Sequence, residues 1–111
     1  IRRHVPSIQK KPFPDLIIGD NDSTSCDTKF TKITENELMK SGLQVNYNHP
    51  FKGGYLTRSK GNPSQHIHAI QLEMCKDLYM NHNETKYEEK KAAKIKKILK
   101  NTFQHLIESL I

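Results

Sequence analysis

From about Thr85 to the last residue the chain repeats one pattern, with Ala92, Ile95, Leu99, Phe103, Leu106 and Leu110 recurring every three or four positions. That spacing matches the turn of an α-helix and predicts one long amphipathic helix with a single packed stripe. Such a stripe needs a surface to cover. The rest of the chain offers short apolar runs bounded by turn residues. Asp15-Leu-Ile-Ile-Gly-Asp20 reads as a short buried strand ending at Gly19, and Leu43–Asn46 as another. Thr31–Ser41 between them reads as a helix, with Thr34 and Glu37 as a capping box and Gly42 as its stop. Tyr55, Leu56 and Thr57 are strand-type residues, which places Gly53-Gly54 at a turn or bulge before them. His66–Leu72 is expected as a strand passing into a helix that holds Met74, Leu78 and Tyr79, with a break at Asn81-His-Asn83. Strands separated by helices predict an α/β fold, a sheet layered by helices, within a single domain.

Charge bears on function only through its distribution. Of the formal net charge of +6, the excess comes from seven lysines between Lys86 and Lys100, interleaved with Glu88 and Glu89 on the long helix. The remaining eleven basic and ten acidic residues nearly balance. A solvated helix face accounts for this pattern and argues against a nucleic-acid or membrane partner. A basic-helix module for nucleic acid or an anionic surface is the competing reading. No apolar run reaches membrane-spanning length, and the first residues lack the apolar core of a signal peptide. Cys26 and Cys75 are isolated, without metal-ligand spacing, which implies reduced thiols and a cytoplasmic setting. Ile1-Arg2-Arg3 has no start-like character, so the expectation is a piece of a longer protein whose N-terminal part lies upstream.

Two segments carry the candidate chemistry. Asn48-His-Pro-Phe-Lys-Gly-Gly-Tyr-Leu-Thr-Arg58 places two glycines, a lysine and an arginine beside a proline-fixed bend. Glycines let backbone approach a ligand closely, and arginine grips a carboxylate at two points. His68-Ala-Ile-Gln-Leu-Glu73 ends an apolar run in one carboxylate, where strand ends in α/β sheets gather ligands. Each residue has a structural reading as well. Glu73 could be a first-turn acid favourable to a helix dipole. Arg58 stands out because the chain has three arginines against fifteen lysines, yet a surface salt bridge would use it equally well. Asn48 before His-Pro can stabilise a turn, and Gly53-Gly54 can serve a hairpin.

Other polar clusters are weaker. His66 and His68 would share one face of a strand, a geometry open to zinc, but a third protein ligand is wanting, and packing with hydrogen bonds suits His68 better. Cys26 has no partnering histidine nearby and reads as a structural thiol. Asp20-Asn21-Asp22 lacks the downstream glutamate and glycine of a calcium loop, so it is expected to organise a loop at the cleft rim.

The Pro50-Phe-Lys-Gly-Gly-Tyr55 and Gln71-Leu-Glu73 motifs, with His68, Leu78-Tyr-Met80, Ile17-Ile-Gly19, Asn21-Asp22 and Ser25-Cys26 in matching order, resemble the C-terminal portion of the N-formylglutamate amidohydrolase family. The resemblance spans nearly the whole chain, residues 1–111 then being the C-terminal part of a single amidohydrolase domain. It implies a zinc-carboxypeptidase-like, three-layer α/β fold with a mixed sheet and a long C-terminal helix. It further implies zinc-dependent hydrolysis of N-formyl-L-glutamate, or a related N-acyl amino acid, to formate and glutamate in histidine degradation. The zinc ligands are then expected mainly upstream of Ile1, with no metal ligand here and the isolated piece inactive. Glu73 would take a proton from the attacking water and pass it to the departing nitrogen. Arg58 would hold a substrate carboxylate, with Asn48, Lys52, Gly53 and Gly54 shaping the pocket. Ser59-Lys60 and Ser23 depart from the family pattern, where His-Tyr and glycine are common. A non-catalytic truncated relative that keeps only the fold is the remaining alternative.

Overall fold

A computed structural model describes residues Ile1–Ile111. Three strands, β1 (Leu16–Gly19), β2 (Val45–Tyr47) and β3 (Gln71–Met74), form one sheet in the order β2-β1-β3. β1 runs parallel to β2 and antiparallel to β3, with Ile17 opposite both Asn46 and Glu73. The central strand is buried on both faces, as a continuous Leu-Ile-Ile run requires. Helices α1 (Thr28–Lys40) and α3 (Glu89–Ser109) cover one face, where Leu16, Ile18 and Leu38 are fully buried among Leu72, Met74, Ile98 and Leu99. The opposite face receives irregular chain rather than a long helix. There Phe13, Ile17 and Cys75 pack with Val5 and Phe51, and Phe13 stacks on Phe51 at 5.8 Å between ring centroids.

Arg3 holds the opening segment against this face. Its guanidinium donates to both carboxylate oxygens of Asp77 (2.9 and 2.7 Å), to Asp15 (2.7 Å) and to the Phe13 carbonyl (3.0 Å). The hydrogen bonds to Asp77 raise the Arg3 pKa above its ordinary value, against the opposing effect of burial.

Several element boundaries differ from the sequence reading. α1 begins at Thr28 because the Asp27 carboxylate accepts the Lys29 N–H at 2.9 Å, capping the helix one turn earlier. Thr34 is buried mid-helix and donates to the Phe30 carbonyl, so it forms no capping box with Glu37. Tyr55–Lys60 is a short helix, α2, not a strand. Gly54 stands before its first turn, Thr57 packs back on Gly53, and Gly61, pressed against Ser25, stops it, so these contacts override a weak strand propensity. His66–Ile70 is not strand either: Pro63–Gln65 opens a 3-10 turn, His66 is left-handed at φ 60°, and Ile67 pairs only with Asn62. Met74 ends β3, and Lys76–Leu78 is a single 3-10 turn in place of the expected helix.

α3 starts at Glu89, after a turn in which the Asn81 side chain accepts the N–H groups of Thr85 and Lys86. Its buried seam runs through Ala92, Ile95 and Thr102, while Phe103 and Leu110 are 51% and 65% exposed. The Thr102 hydroxyl donates to the Ile98 carbonyl at 2.9 Å, which lets a polar residue occupy a core position. The chain exposes 7431 Å², against about 6,300 Å² for a compact monomer of this mass, and the outer half of α3 is part of that excess. No helix is long and apolar enough to cross a membrane.

Candidate active site

The site is built around the absence of one side chain at the end of β1. The segment Pro50–Gly54 crosses over Gly19 as a strap, so close that a Cβ on Gly19 would lie 2.7 Å from the Lys52 carbonyl carbon and oxygen. Two hydrogen bonds clamp the strap. The Asn21 N–H donates to the Lys52 carbonyl (2.8 Å), and the Gly54 N–H donates to Gln71 Oε1 (2.6 Å). Between them Gly53 adopts φ 130°, and a Cβ there would also meet the Thr57 side chain at 2.7 Å. Only glycine suits that backbone and that space.

Strap and sheet enclose an open cavity of about 290 Å³, lined by Pro50–Gly54 together with Gln71 and Glu73. Alternation along β3 decides its chemistry: Leu72 and Met74 face the helices, whereas Gln71 and Glu73 face the strap. Glu73 lies within β3 opposite Ile17, so its role as a first-turn helix acid is excluded. Because β3 is antiparallel, the residue level with the carboxyl end of β1 is Gln71, opposite Gly19.

The structure thus brings Lys52, Gly53, Gly54 and Glu73 to one cavity. The Lys52 ammonium pairs at the rim with Asp22 at 2.8 Å, both side chains being more than half exposed. Arg58, exposed on α2, does not line the cavity, and its Nη1 donates to the Gly53 carbonyl at 2.9 Å. Asn48 stands apart. Its amide accepts the Asp20 N–H (3.0 Å) and donates to the Asp20 carboxylate (2.8 Å), while its own N–H donates to the Ile18 carbonyl (2.7 Å).

Asp20 is the hub that the sequence reading treated only as part of a loop. Fully buried, its carboxylate accepts from the hydroxyls of Tyr47 and Thr31, the amide of Asn48 and the backbone N–H of Ser23. Burial pushes its pKa up, but these donors together outweigh burial and hold it below the ordinary carboxylate value. Burial, and then the same contact, push the Tyr47 hydroxyl up. Asn21, Asp22 and Ser23 all take left-handed backbone (φ 52°, 54° and 69°) as the chain turns around this carboxylate. Gly19 and Gln71 were also missed as site residues. A glycine ending an apolar strand was the available signal for the first, and the two-residue spacing to Glu73 for the second.

The histidines do not join the cavity. His68 Nδ1 accepts the Asp27 N–H at 3.0 Å and its ring meets Phe30 edge-on at 4.5 Å, while His66 is exposed in its turn. The two no longer share a strand face. Cys26 and Cys75 are buried free thiols, and burial pushes both pKa values up. No group of three or more His, Cys, Asp or Glu side chains is arranged to hold a metal ion.

By fold and site this is an α/β mixed-sheet protein with a glycine strap closed over one carboxylate-bearing face. A family model for N-formylglutamate amidohydrolase matches residues 1–80, and the chain belongs to that family. It is similar to an N-formylglutamate deformylase of Pseudomonas putida, 34% identical over 109 residues that cover 96% of this chain and 41% of the relative. An N-formylglutamate deformylase of Pseudomonas aeruginosa is 39% identical over 82 residues, 73% of this chain and 31% of the relative. Among solved structures, the N-formylglutamate amidohydrolase of Ralstonia eutropha JMP134 superposes with a TM-score of 0.76 at 28% identity, over 88% of this chain and 35% of that one. The chain therefore spans about two-fifths or less of the length of these relatives.

Proposed function

We propose that the whole protein hydrolyses N-formyl-L-glutamate, or a closely related N-acyl amino acid, to formate and the amino acid. This stretch would supply the substrate-holding side of the cleft and the proton-carrying carboxylate. The observation that carries the reading is the shared cavity: Glu73 lies on the same wall-and-strap enclosure as Lys52, Gly53 and Gly54, in a chain whose relatives bear deformylase names. Glu73 takes a proton from the attacking water as its oxygen bonds to the formyl carbon. It then returns that proton to the nitrogen as the carbon–nitrogen bond breaks. The strap backbone and Lys52 form the pocket wall, Asn48 supports that wall through Asp20, and Arg58 at the outer edge anchors a substrate carboxylate.

The proposal extends to a zinc-dependent enzyme of zinc-carboxypeptidase-like fold, cytoplasmic and acting at the close of a histidine-degradation route. Two unpaired buried cysteines support a reducing compartment. The side chains present do not by themselves fit a zinc ion, so its ligands are assigned to residues outside this stretch and no step is routed through it. Metal analysis of the full-length protein should find about one zinc per chain, and its absence would remove that part of the reading.

The central test is Glu73→Gln in the full-length protein, assayed by release of formate. Turnover should fall about 10²- to 10⁴-fold with the fold and metal content retained. Wild-type turnover would sink the assignment. Arg58→Ala should raise KM about 10- to 100-fold, the range for a hydrogen bond to a charged group, and an unchanged KM would remove the anchor.

A further inference from the structure

We propose that Gln71 is a positioning residue that fixes Glu73 and the glycine strap in one register. The inference rests on Glu73 acting as the proton carrier. Gln71 and Glu73 are two residues apart on β3, so both side chains stand on the strap-facing side of the sheet. The backbone decides which way the Gln71 amide points. An N–H can only donate, so the Gly54 N–H at 2.6 Å requires the oxygen of the amide, not its nitrogen. The amide is planar, and with Oε1 committed to Gly54 its Nε2 is directed to the other side, where it lies 3.4 Å from Glu73 Oε2. That second bond is long. It orients the carboxylate more than it binds it.

The consequence is mechanical. The strap is tied on one side to the loop after β1, through the Asn21 N–H and the Lys52 carbonyl, and on the other to β3 through Gln71. A single amide therefore sets both the height of Gly54 above the sheet and the direction of the Glu73 carboxylate beneath it. Gly54 is fitted to this arrangement, since a Cβ there would come within 3.2 Å of Gln71 Oε1. An amide-bearing substrate held by the strap would meet a carboxylate whose approach is already fixed, and misplacement on the scale of 1 Å is costly to such chemistry.

Two substitutions in the full-length protein separate positioning from mere anchoring. Gln71→Glu keeps an acceptor for the Gly54 N–H but replaces the donor facing Glu73 with an oxygen. Gln71→Met keeps the volume and removes both bonds. Gln71→Glu should lower kcat for N-formyl-L-glutamate about 10- to 100-fold with KM within about threefold and little change in Tm. Gln71→Met should lower both kcat and Tm. In a Glu73→Gln background Gln71→Glu should cause no further loss, because the two act as one unit. Wild-type kcat in Gln71→Glu, or in folded Gln71→Met, beside an inactive Glu73→Gln would overturn the positioning role and leave the function intact. Full turnover in Glu73→Gln would instead overturn the reading of the site, and this inference with it.

Discussion

The two faces of the small sheet are made from alternate residues of the same strands, yet they differ in how far their contacts are directional. On the helix side Leu16, Ile18, Leu72 and Met74 meet Leu38, Ile98 and Leu99, and the contact is apolar and non-directional. On the strap side Phe13, Ile17, Cys75 and Phe51 also pack together, but beside them Gly19 lies against the Lys52 backbone and Gln71 bonds the Gly54 N–H, contacts that work only at one spacing. The first face can absorb a change of shape at a cost in stability. The second has little slack, because displacing the strap also displaces the wall of the cavity. The pleat itself thus confines the chemistry to one face and leaves the other to apolar packing alone.

Substitutions in the full-length protein can break that division. Leu38→Ala should have the largest effect on stability, about 2–5 kcal/mol by chemical denaturation, since it empties a fully buried position between α1 and the sheet. Its kcat per folded molecule should stay near wild type. Gly19→Ala should cost less, about 1–3 kcal/mol, but lower kcat at least tenfold, because the new methyl group pushes the strap at Lys52. If Leu38→Ala loses turnover and Gly19→Ala keeps it, the division of labour is wrong.

Acid tests the polar contacts on each side, because the Asp20 carboxylate is bonded to Thr31 of α1 and Asp77 to Arg3 of the opening segment. Asp20 is held low by its four donors against burial, and Asp77 chiefly by its hydrogen bonds from Arg3. A folded value below the unfolded one stabilises the protein above the ordinary 3.8, and the gain is lost as pH falls through the folded value. Tm should therefore decline below about pH 4. Asp20→Asn should remove part of that dependence while lowering stability at neutral pH by about 1–3 kcal/mol. An unchanged acid profile in the variant would show that Asp20 is not the hub described. The smallest effect belongs to Lys52→Met, which breaks an exposed pair with Asp22 and should change stability by less than about 1 kcal/mol, diminishing in high salt.

How far the sequence could be read differs between the same regions. The β1 run, Gly42 as the stop of α1, and the existence of α3 followed from apolar periodicity and turn chemistry, because those signals are local. The Pro-Phe-Lys-Gly-Gly and Gln-Leu-Glu motifs led to the family and to four residues that share the cavity. Local signals failed where distant contact set the outcome. Tyr55–Lys60 turns as a helix between Gly54, bonded to Gln71, and Gly61, which has no room for a Cβ beside Ser25. Nothing near Asp20 in the chain announced that its four donors would come from positions 23, 31, 47 and 48.

What the chain determined by itself is the pattern of what must be buried and which residues could do chemistry: a two-residue alternation in β3, a glycine at the end of β1, a Lys-Gly-Gly strap and one carboxylate. Only the tertiary structure decided their relation. It ran β3 antiparallel, so that Gln71 rather than Glu73 came level with Gly19, and it laid the strap across that point. The reason is physical. Side-chain alternation depends on the backbone of one strand alone, whereas strand direction and strap height depend on hydrogen bonds between segments far apart in sequence.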